Sequence, residues 1–460
     1  MIREEPLTTY HTVTLGALTR EGTTLAEITE QNEAGEQHTR TLHVPAGLPE
    51  ERVTIAVEAP AQPPKRRKRY WKARPPRVWI TEIHHASPLR IQASCPVFGV
   101  CGGCQLQHMR YEAQLEWKRS IVQELLHDTG GFDKPPVLET APCDIPWHYR
   151  NHMRFSVNRN GQPGLTARGT HRVLPLESCP IAHEQINRAL DVLSAVPNQR
   201  PQVLIRCGAA TGQMLIQPHP DPNIEQQLTE AGLDLHTETM EEKLGGELFR
   251  IRPSSFFQTN TAQAEKMAKM VLDGLALAPA RGATTFHSEP QTSVETCSGT
   301  PCGASTQHQN VHEHPRTIVD AYCGVGTFAL LLARHVDKVI AIEESASAIK
   351  DAQWNLREVS NVEILKGKVE ELLPALECHI DGLVIDPPRA GCQQAVLDAL
   401  ILHPVDRIVY VSCEPSTLAR DLNILCHLHP SYRLLSVQPL DMFPQTAHIE
   451  CVATLERLEI

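Results

Sequence analysis

From Thr317 onward, short runs of β-branched and other apolar residues alternate with helix-like segments: TIVDAYCGVGTFALLLA, KVIAIEES, AIKDAQWNL, HIDGLVIDPPRAG and RIVYVSCEPSTLARDL, closing on CVATLERL. Strands apolar on both faces need helices on both sides, and strand–helix alternation builds such a sheet in parallel. The pattern predicts a doubly wound α/β domain. Sheets of this kind bind ligands beyond the carboxyl ends of their strands, so the residues that follow each strand are where chemistry is expected.

The first strand, Thr317 to Asp320, runs into Cys323-Gly324-Val325-Gly326-Thr327, a tight glycine loop that feeds the helix FALLLARH. The next strand, VIAIE, ends in Glu343, whose carboxylate suits the two hydroxyls of a ribose. There is one GxG, no GxGxxG and no phosphate-binding Lys-Ser/Thr pair. S-adenosylmethionine is therefore expected over a dinucleotide or ATP.

Asp386-Pro387-Pro388-Arg389-Ala390-Gly391 follows the strand GLVI, and two prolines stiffen this loop. The strand RIVYVS ends in Cys413-Glu414-Pro415, beside it at the same edge. Carbon 5 of uracil is too weak a nucleophile to attack a methylsulfonium, but addition of a thiolate to carbon 6 makes carbon 5 an enolate carbon. The hydrogen on carbon 5 must afterwards leave as a proton, which requires a base. Glu450, in FPQTAHIE before the final strand, is the candidate, with His448 as its rival.

With 460 residues, two or three domains are expected. Residues 1–60 alternate in short segments broken by Gly and Pro, as in a small antiparallel β-barrel. Residues 61–80 form a basic linker, with eight Lys or Arg from Lys65 to Arg77 and Tyr70 and Trp71 among them, a composition suited to stacking on RNA bases. Residues 81–255 are read as a middle α+β domain, in which YRNHMRFSVNRNGQPGLTARG resembles a basic hairpin. The stretch 281–316 departs from globular composition and is read as a flexible insertion, and its Cys297, Cys302, His308, His312 and His314 match no standard zinc spacing.

The net charge of −11 excludes a surface coated in nucleic acid, so local patches must carry any such role. No window approaches a membrane span, and the start MIREEPLTTY lacks the apolar core of a secretory signal. A cytoplasmic protein without membrane partners, acting as a monomer, is expected. Cysteines clustered in such a chain point to metal or catalysis rather than disulfides. Cys95, Cys101 and Cys104 are spaced C-x5-C-x2-C, and Cys179 lies further on; four thiolates suit a [4Fe-4S] cluster or a zinc ion. A radical S-adenosylmethionine enzyme would instead use C-x3-C-x2-C.

Taken together, DAYCGVGTF, IDPPRAG, VSCEPSTLARDL and FPQTAHIE, in this order, resemble the RNA 5-methyluridine methyltransferase family over nearly the whole chain. The resemblance implies an OB-like TRAM β-barrel at the N-terminus, a central RNA-binding domain and a class I, Rossmann-like methyltransferase domain over residues 256–460. It implies Cys413 as nucleophile and Glu450 as proton acceptor. Gln258 of the FFQ segment, Tyr322, Thr327, Glu343 and Asp386 are the cofactor contacts it implies.

CGGCQLQH with the later SCP is similar to the iron-sulfur motif of the ribosomal-RNA branch, which implies a [4Fe-4S] cluster on Cys95, Cys101, Cys104 and Cys179 and 23S ribosomal RNA as substrate. A tRNA uridine methyltransferase and a noncatalytic RNA-binding assembly factor are the alternatives. The presence of Cys413 and Glu450 argues against the second. The chain departs from the family at Thr327, where Asn is common, at Lys368, where an acid is frequent, and at Gln445, where His is usual. The adenine contact near Lys368 is left unassigned.

Overall fold

A computed structural model describes residues 8–31, 37–58, 76–196, 200–277 and 316–459. The stretch with Tyr70 and Trp71 and the group from Cys297 to His314 lie outside the described residues.

The C-terminal sheet has seven strands: β1 (Thr317–Ala321), β2 (Lys338–Glu343), β3 (Val362–Lys366), β4 (Gly382–Ile385), β5 (Arg407–Ser412), β6 (Tyr432–Leu440) and β7 (Glu450–Arg457). Their spatial order is β3-β2-β1-β4-β5-β7-β6. The first five are parallel, as the alternation of strand and helix segments predicts. The last two depart from that pattern, because β7 runs antiparallel to both β5 and β6. The segment between β6 and β7 holds no helix, and a connection that short can only turn back, not cross over.

Strand alternation divides the apolar residues between two layers. Ile408 and Tyr410 of β5 enter one core while Val409 and Val411 enter the other. The order of strands reverses between β1 and β4, and that switch point opens the crevice at which the loops after β1 and β4 meet.

Two segments N-terminal of residue 255 pack into these layers. The helix Tyr111–Asp128 supplies Trp117, Ile121, Val122 and Leu126 to the first. The hairpin Met240–Leu244 and Glu247–Ile251 supplies Met240, Leu244, Phe249 and Ile251 to the second. Each such side chain, fully buried, contributes roughly 1.5–3 kcal/mol before entropy is counted, so the central and C-terminal regions are joined by a substantial core.

The remaining central region is a six-stranded sheet, which includes the antiparallel pair His152–Val157 and Pro163–Thr166. The helix Glu184–Ala195 covers it with Ile186, Ala189, Leu190 and Leu193. At the N-terminus, Thr8–Thr14, Arg52–Glu58 and Arg77–His85 form one sheet and Thr23–Gln31 pairs with Gln37–Pro45 in a second, around a core of Ile28, Val44, Val53, Ile55 and Val57. The sequence pattern ends this unit near residue 60, whereas strand pairing carries it to His85. No described helix is long and apolar enough to cross a membrane.

Candidate active site

Beyond β1 the chain turns through Tyr322, Gly324 and Gly326, all in the left-handed region with φ of 64°, 58° and 84°. Gly326 precedes the helix Thr327–Leu332, and a Cβ on it would lie 3.1 Å from Leu356 Cδ1. Glycine lets this turn close against its neighbours. Glu343 ties the loop down: Gly324 N donates to its Oε2 at 2.9 Å and Ser345 N to its Oε1 at 2.7 Å.

Asp320, fully buried at the end of β1, accepts from Ala329 N at 2.8 Å through Oδ2, while its Oδ1 has no partner. Burial pushes its carboxyl up to about 8. Tyr322 and Thr327 flank the same loop, both half-buried. Gln258 lies in the segment Ser255–Asn260, strung between Asp351, which accepts from Ser255 Oγ at 2.6 Å, and the carbonyl of Met442, which accepts from Asn260 Nδ2 at 3.2 Å.

The second half of the site follows β4, β5 and the β6–β7 connection. Ser412, the last residue of β5, pairs with Cys451, so Cys413 leaves β5 at the edge where Glu450 begins β7. Glu450 is 4% exposed, and burial, with Asp386 adding to it, pushes its carboxyl well above the ordinary range. Burial raises Asp386 to about 7. The half-buried Cys413 thiol is pushed up to about 11 by burial, then by Glu450 and Asp386, while the Arg389 guanidinium opposes them. His448 is exposed at the cleft beside Cys413; desolvation lowers it first, then the Arg389 charge.

The loop carrying Asp386 and Arg389 is gripped by the helix Pro415–Asn423, which starts two residues after Cys413. Thr417 Oγ1 donates to the Arg389 carbonyl at 3.2 Å, and Arg420 Nη2 to the carbonyls of Ala390 at 3.0 Å and Cys392 at 3.3 Å. Asp421, fully buried, accepts from Cys392 N and Tyr410 Oη, both at 2.8 Å. Arg389, Arg420 and Asp421 stand within IDPPRAG and VSCEPSTLARDL, but those motifs by themselves assign them no duty. Charged residues beside a candidate nucleophile were the only signal available.

Cys95, Cys101, Cys104 and Cys179 line one cavity of about 220 Å³, together with apolar Phe98 and Leu165. None of the four forms a disulfide. Burial raises Cys104 to about 12, with Cys179, Cys101 and Cys95 adding to it, so the thiols sense one another. Cys179 is brought in by Asn187, whose side chain accepts from Cys179 N at 2.8 Å and donates to its carbonyl at 3.1 Å.

A doubly wound sheet ending in an antiparallel pair, with both loop clusters on one edge, places this chain among the class I type of transferase folds. Comparison with known proteins specifies the family. The family model described as tRNA (Uracil-5-)-methyltransferase matches residues 306–458. A relative in Gloeobacter violaceus, named an uncharacterized RNA methyltransferase, is 36% identical over 82% of this chain and 85% of its own. One in Halalkalibacterium halodurans, named likewise, is 30% identical over 96% of each. A solved structure titled as the Pyrococcus abyssi tRNA (uracil-54, C5)-methyltransferase with S-adenosyl-L-homocysteine superposes with a TM-score of 0.64 at 22% identity, over 96% of this chain and 99% of that one. The chain belongs to the RNA (uracil-5-)-methyltransferase family and is an RNA-modifying enzyme.

Proposed function

We propose that this enzyme methylates carbon 5 of one uridine in 23S ribosomal RNA, with Cys413 as nucleophile and Glu450 as general base. The observation that carries the reading is that Cys413, just past the end of β5, and Glu450, at the start of the neighbouring β7, meet at one edge of the sheet, with the Arg389 guanidinium acting on the thiol. Arg389 draws the thiol toward thiolate. The thiolate adds to carbon 6 of the uracil, and the electron pair moves to carbon 5, which takes up the methyl group. Glu450 then removes the carbon 5 proton, the carbon 5–carbon 6 double bond returns and Cys413 is expelled. A carboxylate whose affinity for protons is raised by burial is the stronger base for that step.

S-adenosylmethionine, when bound, would supply the electrophilic methyl group. Tyr322, Thr327, Glu343, Asp386 and Gln258 would hold it. The orphaned Oδ1 of Asp320 fits a polar ligand at this loop, and the carboxylate oxygens of Glu343 each retain a lone pair after their backbone bonds.

We read the four-cysteine cavity as a [4Fe-4S] site. Among the described residues, the one trio of His, Cys, Asp or Glu donor atoms within 4.8 Å of one another is His379, Asp381 and Asp406, so no three of the four sulfurs come that close. Tetrahedral zinc with bonds of about 2.3 Å would draw sulfurs nearer than that. A cluster would fix the cysteine loop.

RNA with 5-fluorouridine at the target is expected to trap the native protein covalently, because a carbon 5 fluorine cannot leave as a cation, and Cys413→Ala is expected to abolish trapping while retaining cofactor binding. Trapping by the alanine variant refutes the nucleophile. The family model carries a tRNA name, which favours tRNA as the second reading. Mapping 5-methyluridine in ribosomal and transfer RNA from cells with and without the gene decides between them.

A further inference from the structure

The connection that leads into Glu450 is held largely from outside its own sheet. Gln445, 3% exposed, takes a left-handed conformation with φ of 68°. Its carbonyl accepts from Gln105 N at 3.1 Å and Leu106 N at 3.0 Å. Gln114 clasps the same residue: its Nε2 donates to Gln445 Oε1 at 3.0 Å, and its Oε1 accepts from Gln445 N at 3.2 Å.

Two residues on, Ala447 N donates to Gln105 Oε1 at 3.1 Å, and Gln105 Nε2 donates to the Gly102 carbonyl at 3.1 Å. One side chain therefore bridges the cysteine loop and the catalytic connection. Gln105 follows Cys104 directly. From the N-terminal unit, Gly22 comes so near that a Cβ there would lie 2.8 Å from Gln105 Cβ and 3.2 Å from Ala447 Cβ. Gln105 and Ala447 also line the cleft of about 440 Å³ beside Cys413.

The geometry points to Gln105 as a positioning residue for the Gln445–Glu450 segment, with the turn between Cys101 and Cys104 setting where Gln105 stands. The inference rests on the reading of Cys413 and Glu450 given above. Gln105 forms no bond to the reacting ring; it acts through Ala447. Removing its amide leaves Ala447 N without a partner and frees the connection to shift. Proton removal by Glu450 comes after methyl transfer. A shifted connection therefore slows the breakdown of the methylated adduct more than its formation.

The test compares native protein, Gln105→Ala and Gln105→Glu on target RNA carrying ordinary uridine, with quenching in denaturant and measurement of covalent protein–RNA complex on a gel. Gln105→Ala is expected to lower kcat on the order of tenfold, with KM for RNA unchanged, and to raise the trapped fraction. Gln105→Glu, which keeps the acceptor for Ala447 N, is expected to restore most of the rate. Hydrogen exchange at the Ala447 amide should quicken in Gln105→Ala, and also in Cys104→Ser with its fold checked by circular dichroism.

A rise in KM alone, or a slower rate without adduct, overturns the positioning role. Unchanged exchange in folded Cys104→Ser overturns the link to the cysteine turn. Should native protein fail to trap 5-fluorouridine RNA, the nucleophile reading falls and this inference with it; trapping by native protein with an unaltered Gln105→Ala enzyme overturns this inference alone.

Discussion

Burial holds the Cys413 thiol near a pKa of about 11, Glu450 and Asp386 push in the same direction, and Arg389 opposes them. Only the thiolate adds to a ring or reacts with an alkylating agent. Reaction of Cys413 with iodoacetamide should therefore climb steadily as pH rises from neutral toward 11. Arg389→Met should lower it about tenfold at a fixed pH near 8 for each unit the pKa rises. Mass spectrometry of the Cys413 peptide reads both, and an unchanged rate in the methionine variant would separate Arg389 from the thiol.

Lys118 poses a different problem at the same scale. It is fully buried, 2.6 Å from the buried Asp441, and also donates to the Phe443 carbonyl at 3.2 Å; Tyr111 Oη donates to the other Asp441 oxygen at 2.7 Å. Lys118→Met leaves Asp441 charged, buried and missing its cation, which costs about 3–5 kcal/mol. Denaturant unfolding should show that loss, and Lys118→Met combined with Asp441→Asn should recover part of it.

At the scale of the element, the helix Pro415–Asn423 links Cys413, the proposed nucleophile, to the loop of Asp386 and Arg389. Its Thr417, Arg420 and Asp421 bind three successive parts of that loop, so the Cys413 thiol and the Arg389 loop move together. Gly391 is where the loop comes nearest: φ is 76°, and a Cβ would stand 2.5 Å from Arg420 Nη2 and 2.8 Å from Asp421 Oδ2. Gly391→Ala therefore costs both left-handed strain and a collision with the clamp. A stability loss of about 1–3 kcal/mol is expected, with a larger fall in kcat than in cofactor affinity. Calorimetry and single-turnover methylation measure the two separately.

Across the whole molecule, the cysteine cavity and the active site are joined by the same central region that feeds both cores of the sheet. Cys101 forms a bridge with Ala167 next to the Pro163–Thr166 strand, while Cys179 precedes the helix Glu184–Ala195. The cavity therefore closes only when the central sheet is folded. Protein purified without oxygen should contain roughly four iron atoms and matching sulfide per chain. Cys179→Ala should lose most of the iron while keeping its secondary structure. One zinc ion per chain and no sulfide would refute the cluster.

Local pattern made the C-terminal sheet legible, because apolar runs and their breaks repeat within a few residues and each break marks a strand end. That is why Glu343, Asp386 and Cys413 could be placed at one edge from the sequence. The reversal at β6 and β7 escaped the pattern: strand direction follows from the length and path of a connection, which periodicity does not record. The meeting of Cys413, just past β5, with Glu450, at the start of β7, arises from that reversal.

The duties of Lys118, Gln105 and Arg420 were equally hidden, since each acts on a backbone group or partner that only tertiary contact brings near. The sequence determined which groups have the chemistry. The tertiary structure decided which of them meet, because burial and long-range hydrogen bonds depend on how distant segments pack.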